Sequence, residues 1–154
     1  MQLNRHKKNV IKHPNKNTSD VILDFLVSKG VKSVFVLTGG AIAFSIDAFS
    51  KRKDISYICV QHEQAAAMMA DAYARIKNNF AATMVTSGPG ATNLLTGIAC
   101  SFFDSIANIH ITGQVNLLEQ RGGMPNTLES RQIGFQETDI VSISKPITKK
   151  SYQL

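Results

Sequence analysis

Short apolar segments that alternate with helical segments constrain the fold of this chain more than any other feature. Strands are predicted at residues 34–37, 55–60, 80–86 and 107–112, and helices at 41–49, 63–77 and 91–103. Strands that are apolar on both faces and alternate with helices are typical of a parallel sheet covered on both sides. The sequence therefore predicts an α/β domain of three layers, with a mostly parallel sheet and helices on both faces.

The N-terminal region differs in charge from the rest of the chain. Five of the 17 basic residues lie within residues 1–16, which contain no acidic residue, and the body is close to neutral. No aromatic residues are interleaved with these charges, which favours a solvated extension over a nucleic-acid-binding arm. We therefore expect a poorly ordered basic tail at 1–17 and one domain at 18–154. The first helix of the domain is predicted from 18 to 29, capped by Thr18 or Ser19 and terminated by Gly30.

The cysteines and the hydropathy pattern bear on the compartment. Cys59 falls in a predicted strand and Cys100 in a predicted helix, without a CxxC pair, so we expect buried, reduced thiols. Asp24 interrupts the apolar run at 21–27, which argues against a signal peptide. No segment approaches the length of a membrane span. These features predict a cytoplasmic protein with neither a membrane nor a nucleic-acid partner.

The helix that begins at Glu63 is built almost wholly of small apolar residues. A glutamate in a first helical turn is stabilised by the helix dipole, so a simple capping role is one interpretation. The other interpretation is a functional role, because a carboxylate at the start of a buried helix is costly to desolvate and such sites tend to be functional. We expect the helix to be buried nearly all round, because its side chains offer little polar surface, with its Ala/Met face covered by a partner domain and not by this short chain. These side chains are Ala65, Ala66, Ala67, Met68, Met69, Ala70, Ala72 and Ala74.

Three loops follow predicted strands and are candidates for ligand contact. They lie at residues 38–40, 61–63 and 87–90, and ligands of open parallel sheets bind at the carboxyl ends of the strands. The Ser-Gly-Pro-Gly turn at 87–90 matches neither a P-loop nor a GxGxxG fingerprint, and Pro89 makes it rigid. His110 lies in an apolar strand and is interpreted as a satisfied core histidine, and His62 as structural or interfacial. The pattern contains no Ser/His/Asp set and no metal cluster.

Four motifs in order along the chain resemble a known family. They are HEQAAAMMADAYAR, TSGPGATNLLTGIA, ITGQV and FQETDIVSISKPITK. Together they resemble the N-terminal, pyrimidine-binding domain of thiamine-diphosphate-dependent enzymes, in the acetolactate-synthase-like group. The resemblance extends from about Ser19 to the C-terminus. It implies a lyase or carboligase of the transferase type that acts on a 2-oxo acid such as pyruvate.

The resemblance also implies a cofactor and a set of site residues. The cofactor is thiamine diphosphate, and Glu63 stands where the family has the glutamate that contacts the aminopyrimidine ring and activates the cofactor. A positioned carboxyl suits proton transfer of this kind. Gly40 and Ala41 match the loop that faces the reacting centre, and Gln136 matches a glutamine near the active site. The positions that match the lining of the pyrimidine pocket are Thr86, Pro89 and Asn93.

The family binds diphosphate and Mg²⁺ through a separate C-terminal domain with a Gly-Asp-Gly…Asn motif, and this sequence contains no such motif. The last helix and strand of the pyrimidine domain are also expected to be missing. The chain is therefore expected to be a fragment, inactive alone, whose partner is the diphosphate-binding domain of the same or another chain in a homo-oligomer (dimer or tetramer). The alternative is a non-catalytic remnant or interaction partner that keeps the fold and the dimer surface.

Three departures from the family pattern leave the substrate open. The usual Tyr-Pro-Gly-Gly is here Leu37-Thr38-Gly39-Gly40, the loop at 116–131 is longer, and His110 replaces an aliphatic residue. The first two resemble enzymes of surface-sugar biosynthesis, so both that pathway and branched-chain amino-acid synthesis remain open. FAD is compatible with the complete enzyme, as in true acetolactate synthases.

Overall fold

A single parallel sheet organises the fold. The computed structural model describes residues 16–121 and 131–154, so most of the predicted basic tail lies outside the described residues. The strands are β1 (Ser33–Leu37), β2 (Ser56–Cys59), β3 (Ala81–Val85) and β4 (Asn108–Thr112). Their order is β2-β1-β3-β4, and each neighbouring pair is parallel. The predicted α/β class and parallel sheet are confirmed.

Helices cover both faces of this sheet. They are α1 (Thr18–Ser28), α2 (Ala43–Ser50), α3 (Glu63–Lys77), α4 (Pro89–Asn93), α5 (Leu95–Phe103) and α6 (Ile140–Ser144). Short 3₁₀ turns occur at Gly40–Ile42, Leu117–Glu119 and Lys145–Ile147. None of the helices in the described ranges has the length and apolar character needed to cross a membrane.

The core is divided by the sheet into two apolar clusters. Val34 and Val36 of β1 pack on one side with Leu23 and Leu26 of α1. Phe35, the residue between the two valines, packs on the other side with residues of α3. Successive side chains of a strand point to opposite faces, so a strand that is apolar throughout supplies both clusters. This arrangement confirms the three-layer prediction.

The first helix begins differently from the expectation. Its N-cap is Asn17, neither Thr18 nor Ser19, and the Asn17 side chain accepts a hydrogen bond from the Asp20 amide at 2.9 Å. The Asp20 carboxylate in turn accepts a hydrogen bond from the Asn17 amide at 3.0 Å. This reciprocal capping box satisfies two amides that a serine or threonine one residue later would leave unpaired.

Helix α3 has the predicted bounds, and one of its faces is buried within this chain. Its inner face, with Ala66, Ala67 and Ala70, is buried, whereas Met68 and Met69 are 42% and 39% exposed. This chain itself leaves the Ala/Met face uncovered, and burial of that face against a partner domain stays a prediction. The face is uncovered because an outer-layer helix is covered on one side by the sheet and α5, and its opposite side faces outward. The exposed face of α3 comprises Ala65, Met68, Met69 and Ala72.

Both cysteines are exposed and unpaired, which corrects the expectation of buried thiols. Cys59 lies in β2, an edge strand whose four residues are all exposed, and Cys100 lies on the outer side of α5. The predicted helix at 91–103 is also divided into α4 and α5, with Leu94 between them. An apolar residue pattern identifies a strand or helix but not whether a neighbouring layer covers it.

The C-terminal region contains the short helix α6, which ends at Ser144. The Asp139 carboxylate caps α6 by accepting from the Ser142 amide at 3.0 Å. Of the predicted surface loop at 116–131, residues 122–130 lie outside the described residues.

Candidate functional site

The order of the strands locates the candidate site. The chain leaves β1 towards β2 on one side, and β3 lies on the other side, so the order of the sheet reverses between β1 and β3. Ligands of open α/β sheets bind outside the carboxyl ends of the strands at such a point. The loops that follow β1 and β3 meet here, since a Cβ atom on Gly39 would lie 2.5 Å from the Cβ of Thr86. Glycine at position 39 allows this close approach.

Glu63 is the buried carboxylate of this edge. It is the first residue of α3 and is 7% exposed, and its Oε2 atom accepts a hydrogen bond from Asn93 Nδ2 at 2.9 Å. The N-terminus of α3 stabilises the negative charge through its free amides and dipole. Among residues 16–121 and 131–154, Asn93 is the residue that donates to this carboxylate. The Oε1 atom accepts no hydrogen bond from those ranges.

Gly90 separates the Glu63 carboxylate from Thr86. A Cβ atom on Gly90 would lie 3.3 Å from Glu63 Oε1 and 2.8 Å from Thr86 Cγ2. Gly90 is itself buried, and the space that a side chain would need is taken by Thr86 and the Glu63 carboxylate. Glycine at position 90 therefore allows Thr86 and Glu63 to lie close to this helix start.

The segment around Gln136 packs against the turn at 87–90. Gly88 has φ +58° and ψ −123°, and a Cβ atom there would lie 2.2 Å from the Gln136 carbonyl oxygen. Gln136 itself has a positive φ of 55°. The next residue, Pro89, starts α4 with a φ that the ring restricts. The turn is therefore packed closely against this segment, and its rigidity stays a prediction.

The structure brings several predicted site residues to this turn. Glu63 and Thr86 lie on either side of Gly90, and Asn93 donates a hydrogen bond to Glu63. Pro89 lies within the turn, and Gln136 packs against it. Gly40 and Ala41 are exposed in the 3₁₀ turn after β1, on the same edge of the sheet. Ala41 packs against the residue after β4, since a Cβ on Gly113 would lie 2.6 Å from the Ala41 Cβ.

The two histidines singled out in the sequence have structural contacts. The His62 side chain caps α3, because its Nδ1 accepts from the Gln64 amide at 3.1 Å. His110 Nδ1 lies 2.9 Å from the Thr83 hydroxyl across β3 and β4. Desolvation by burial lowers the pKa of His110 to about 4. His110 therefore has the expected hydrogen-bond partner, although it is only partly buried, in a strand at the edge of the sheet.

Sequence reasoning missed the contact roles of Gly39 and Gly90. Gly39 lies two residues after β1 and Gly90 lies in the first turn of α4, so the glycine-bearing turns that link a strand to a helix are the signal that could have identified them. The need for glycine arises from Thr86, which each of them contacts, and that contact is visible only in three dimensions.

The chemistry that this edge can support follows from its groups. A carboxylate that is held at one oxygen by an amide, and whose other oxygen has no donor among the described residues, can exchange a proton or a hydrogen bond with a ring nitrogen. This donor set fits the aminopyrimidine of thiamine diphosphate. In the part of the chain that the structure describes, no group of three or more His, Cys, Asp or Glu side chains could hold a metal ion.

Comparison with known proteins adds the family. Residues 16–143 match the family described as "Thiamine pyrophosphate enzyme, N-terminal TPP binding domain". The acetolactate synthase large subunit of Buchnera aphidicola subsp. Schizaphis graminum is 39% identical over 137 residues, which cover 87% of this chain and 22% of that protein.

Two further relatives show the same coverage. The acetolactate synthase isozyme 3 large subunit of Escherichia coli is 39% identical over 137 residues, covering 87% of this chain. The acetolactate synthase large subunit of Cyanidium caldarium is 43% identical over 140 residues, covering 89% of this chain. In each case the chain spans 22% of the length of the relative.

Proposed function

This chain belongs to the thiamine pyrophosphate enzyme family, matching its N-terminal TPP-binding domain, and from that premise we propose that it supplies the pyrimidine-binding half of an acetolactate-synthase-like enzyme. The whole enzyme would act as a lyase or carboligase of the transferase type on a 2-oxo acid such as pyruvate. The observation that carries the proposal is the buried Glu63 carboxylate, bonded to Asn93 at the carboxyl edge of the sheet.

Each proposed site residue has a distinct task. When bound, thiamine diphosphate (thiamine pyrophosphate) supplies a thiazolium carbon that attacks the carbonyl carbon of the 2-oxo acid. Glu63 exchanges a proton with the aminopyrimidine ring through Oε1, and so activates the cofactor. Gly40, Ala41 and Gln136 lie towards the reacting substrate. Thr86, Pro89 and Asn93 line the pyrimidine pocket.

The remaining parts of the site would come from other protein. Mg²⁺ and the diphosphate would be held by a diphosphate-binding domain of the same or another chain in a homo-oligomer. The exposed face of α3, which contains Met68 and Met69, offers an apolar surface for that domain. FAD is compatible with the complete enzyme. We place the enzyme in the cytoplasm, where its two free thiols would stay reduced.

The proposal is tested by calorimetry with thiamine diphosphate and Mg²⁺. The titration is made with the chain alone, and again after mixing it with the remainder of the Escherichia coli isozyme 3 large subunit, which this chain does not match. Binding by the mixture supports the proposal. A folded chain that gives no binding heat in either titration would overturn it, and would favour a non-catalytic remnant.

Turnover provides the second test. The mixture should form acetolactate from pyruvate, and Glu63→Gln should reduce the rate by roughly 10²- to 10⁴-fold, the range typical of a positioned acid or base. Asp47→Asn is the matched control, because it also converts a carboxylate to an amide but lies exposed on α2. Equal rates for wild type and Glu63→Gln would contradict the role of Glu63.

A further inference from the structure

The two oxygen atoms of the Glu63 carboxylate have different surroundings. Oε2 accepts a hydrogen bond from Asn93 Nδ2 at 2.9 Å, whereas Oε1 lies beside the buried Gly90 and accepts no hydrogen bond from residues 16–121 and 131–154. The donor and acceptor are 30 residues apart in the chain. The orientation of the carboxylate therefore depends on one side chain of a different element.

The direction of this hydrogen bond is unambiguous. An ionised carboxylate only accepts hydrogen bonds, whereas the asparagine side chain has an NH₂ donor and an oxygen acceptor. Rotating the Asn93 amide by 180° would bring two acceptor oxygens to within hydrogen-bond distance. The NH₂ group must therefore face Oε2 whenever Glu63 is ionised.

Asn93 itself lies on a closely packed support. It is the last residue of α4, which starts at the turn where Gly88 packs against Gln136. The next residue, Leu94, is fully buried in the core cluster formed with α3. The backbone on both sides of Asn93 is thus anchored, although its side chain lies at an exposed position.

From these observations we infer that Asn93 is a positioning residue that acts through Glu63. Its amide occupies Oε2 and favours negative charge there, so that Oε1 is the oxygen that holds and exchanges the proton. This inference rests on the proposed function, and it goes further by assigning separate tasks to the two oxygens. Asn93 thus contributes to cofactor activation by orienting the carboxylate.

The hydrogen bond can be tested in the chain alone. In a ¹⁵N-labelled chain, Glu63→Gln should shift the side-chain NH₂ resonances of Asn93, because the charged acceptor is lost. The NH₂ resonances of Asn79 are the control. That amide donates to the Lys29 carbonyl at a distance of 2.9 Å, and it lies away from the site. Unchanged Asn93 resonances would overturn the inference whether or not the cofactor binds.

The positioning role is tested with Asn93→Asp in the mixture that binds thiamine diphosphate. This isosteric change replaces the donor by an acceptor, and we expect roughly 10- to 100-fold weaker cofactor binding, as for the loss of a hydrogen bond to a charged group. Asn79→Asp is the matched control and should leave the affinity unchanged. Cofactor binding by wild type that Asn93→Asp does not alter would overturn the positioning role alone. Failure of wild type to bind would overturn the proposed function and this inference together.

A swapped pair separates positioning from fold support. Combining Glu63→Gln with Asn93→Asp restores one amide-to-carboxylate hydrogen bond with donor and acceptor exchanged. The two facing carboxylates of Asn93→Asp should lower the urea midpoint, and we expect the swapped pair to recover it while acetolactate formation stays as low as in Glu63→Gln. Recovery of turnover along with stability would overturn the inference, because it would show that the hydrogen bond matters without Glu63 as the proton carrier.

Discussion

Replacing Gly88 with alanine tests how the turn that supports the site is held. Gly88 has φ +58° and ψ −123°, a combination that residues with a Cβ atom rarely adopt. The added Cβ would also lie 2.2 Å from the Gln136 carbonyl oxygen and 2.8 Å from its Cβ. The first contact is with backbone, so the side chain cannot relieve it by changing rotamer.

The expected loss of stability combines these two effects. The unfavourable backbone conformation costs about 1–3 kcal/mol, and displacement of a well-packed neighbour costs about the same. Gly88→Ala should therefore lower the free energy of unfolding by roughly 2–6 kcal/mol, a large part of the ~5–15 kcal/mol typical of a domain. Gly40→Ala is the matched control, because its Cβ would meet no atom within 4 Å and its φ is not positive. We expect it to be neutral or to stabilise by about 0.4–1 kcal/mol.

Urea denaturation followed by far-ultraviolet circular dichroism measures both variants. With a denaturant slope of about 1–3 kcal/mol per molar urea, the Gly88→Ala midpoint should fall by roughly 1 M or more. A loss below ~1 kcal/mol, or equal losses for Gly88→Ala and Gly40→Ala, would refute the reasoning. It would show that the segment around Gln136 moves away without cost, and that the turn is not rigid.

Three further predictions follow from the core and the surface. Because burial lowers the pKa of His110 to about 4, the folded chain binds fewer protons than the unfolded chain below pH ~6.5. Its free energy of unfolding should therefore fall by up to ~3 kcal/mol between pH 6.5 and 4. Urea titrations of His110→Val should lack this loss, and an equal loss in the variant would contradict the assignment. Cys59 and Cys100 are exposed, so both should react with a thiol reagent without denaturant, whereas a thiol that reacts only in urea would show burial. Gly97→Ala should lower the free energy of unfolding by about 1–3 kcal/mol, since its Cβ would lie 2.4 Å from the Ala67 Cβ. Adding Ala67→Gly should recover much of the urea midpoint, and an unchanged midpoint in Gly97→Ala would show that the two helices separate without cost.

Much of the fold could be predicted from local patterns. The bounds of α3 at Glu63 and Lys77 match the expectation, because polar residues precede it and Asn78 ends it in a left-handed conformation. The four strands were located to within one or two residues, since short apolar runs between helical segments favour buried parallel strands. These signals are local, and each depends on neighbouring residues in the chain.

Burial on the outer faces could not be predicted in the same way. Cys59 and Met68 have apolar sequence surroundings, yet both are exposed in this chain. Their exposure depends on whether another layer covers β2 and the outer side of α3. An apolar pattern indicates that a surface favours burial, but not that this chain itself supplies the cover.

The sequence by itself determined the α/β alternation, the start of α3 at Glu63 and the glycine-bearing turns at the ends of the strands. Only the tertiary structure decided that Glu63 bonds to Asn93, that Gly90 packs between Glu63 and Thr86, and that Gln136 packs against Gly88. The physical reason is that helices and strands follow from contacts between residues near in sequence. A site in a parallel sheet is assembled by the strand order, which brings together loops that are far apart along the chain.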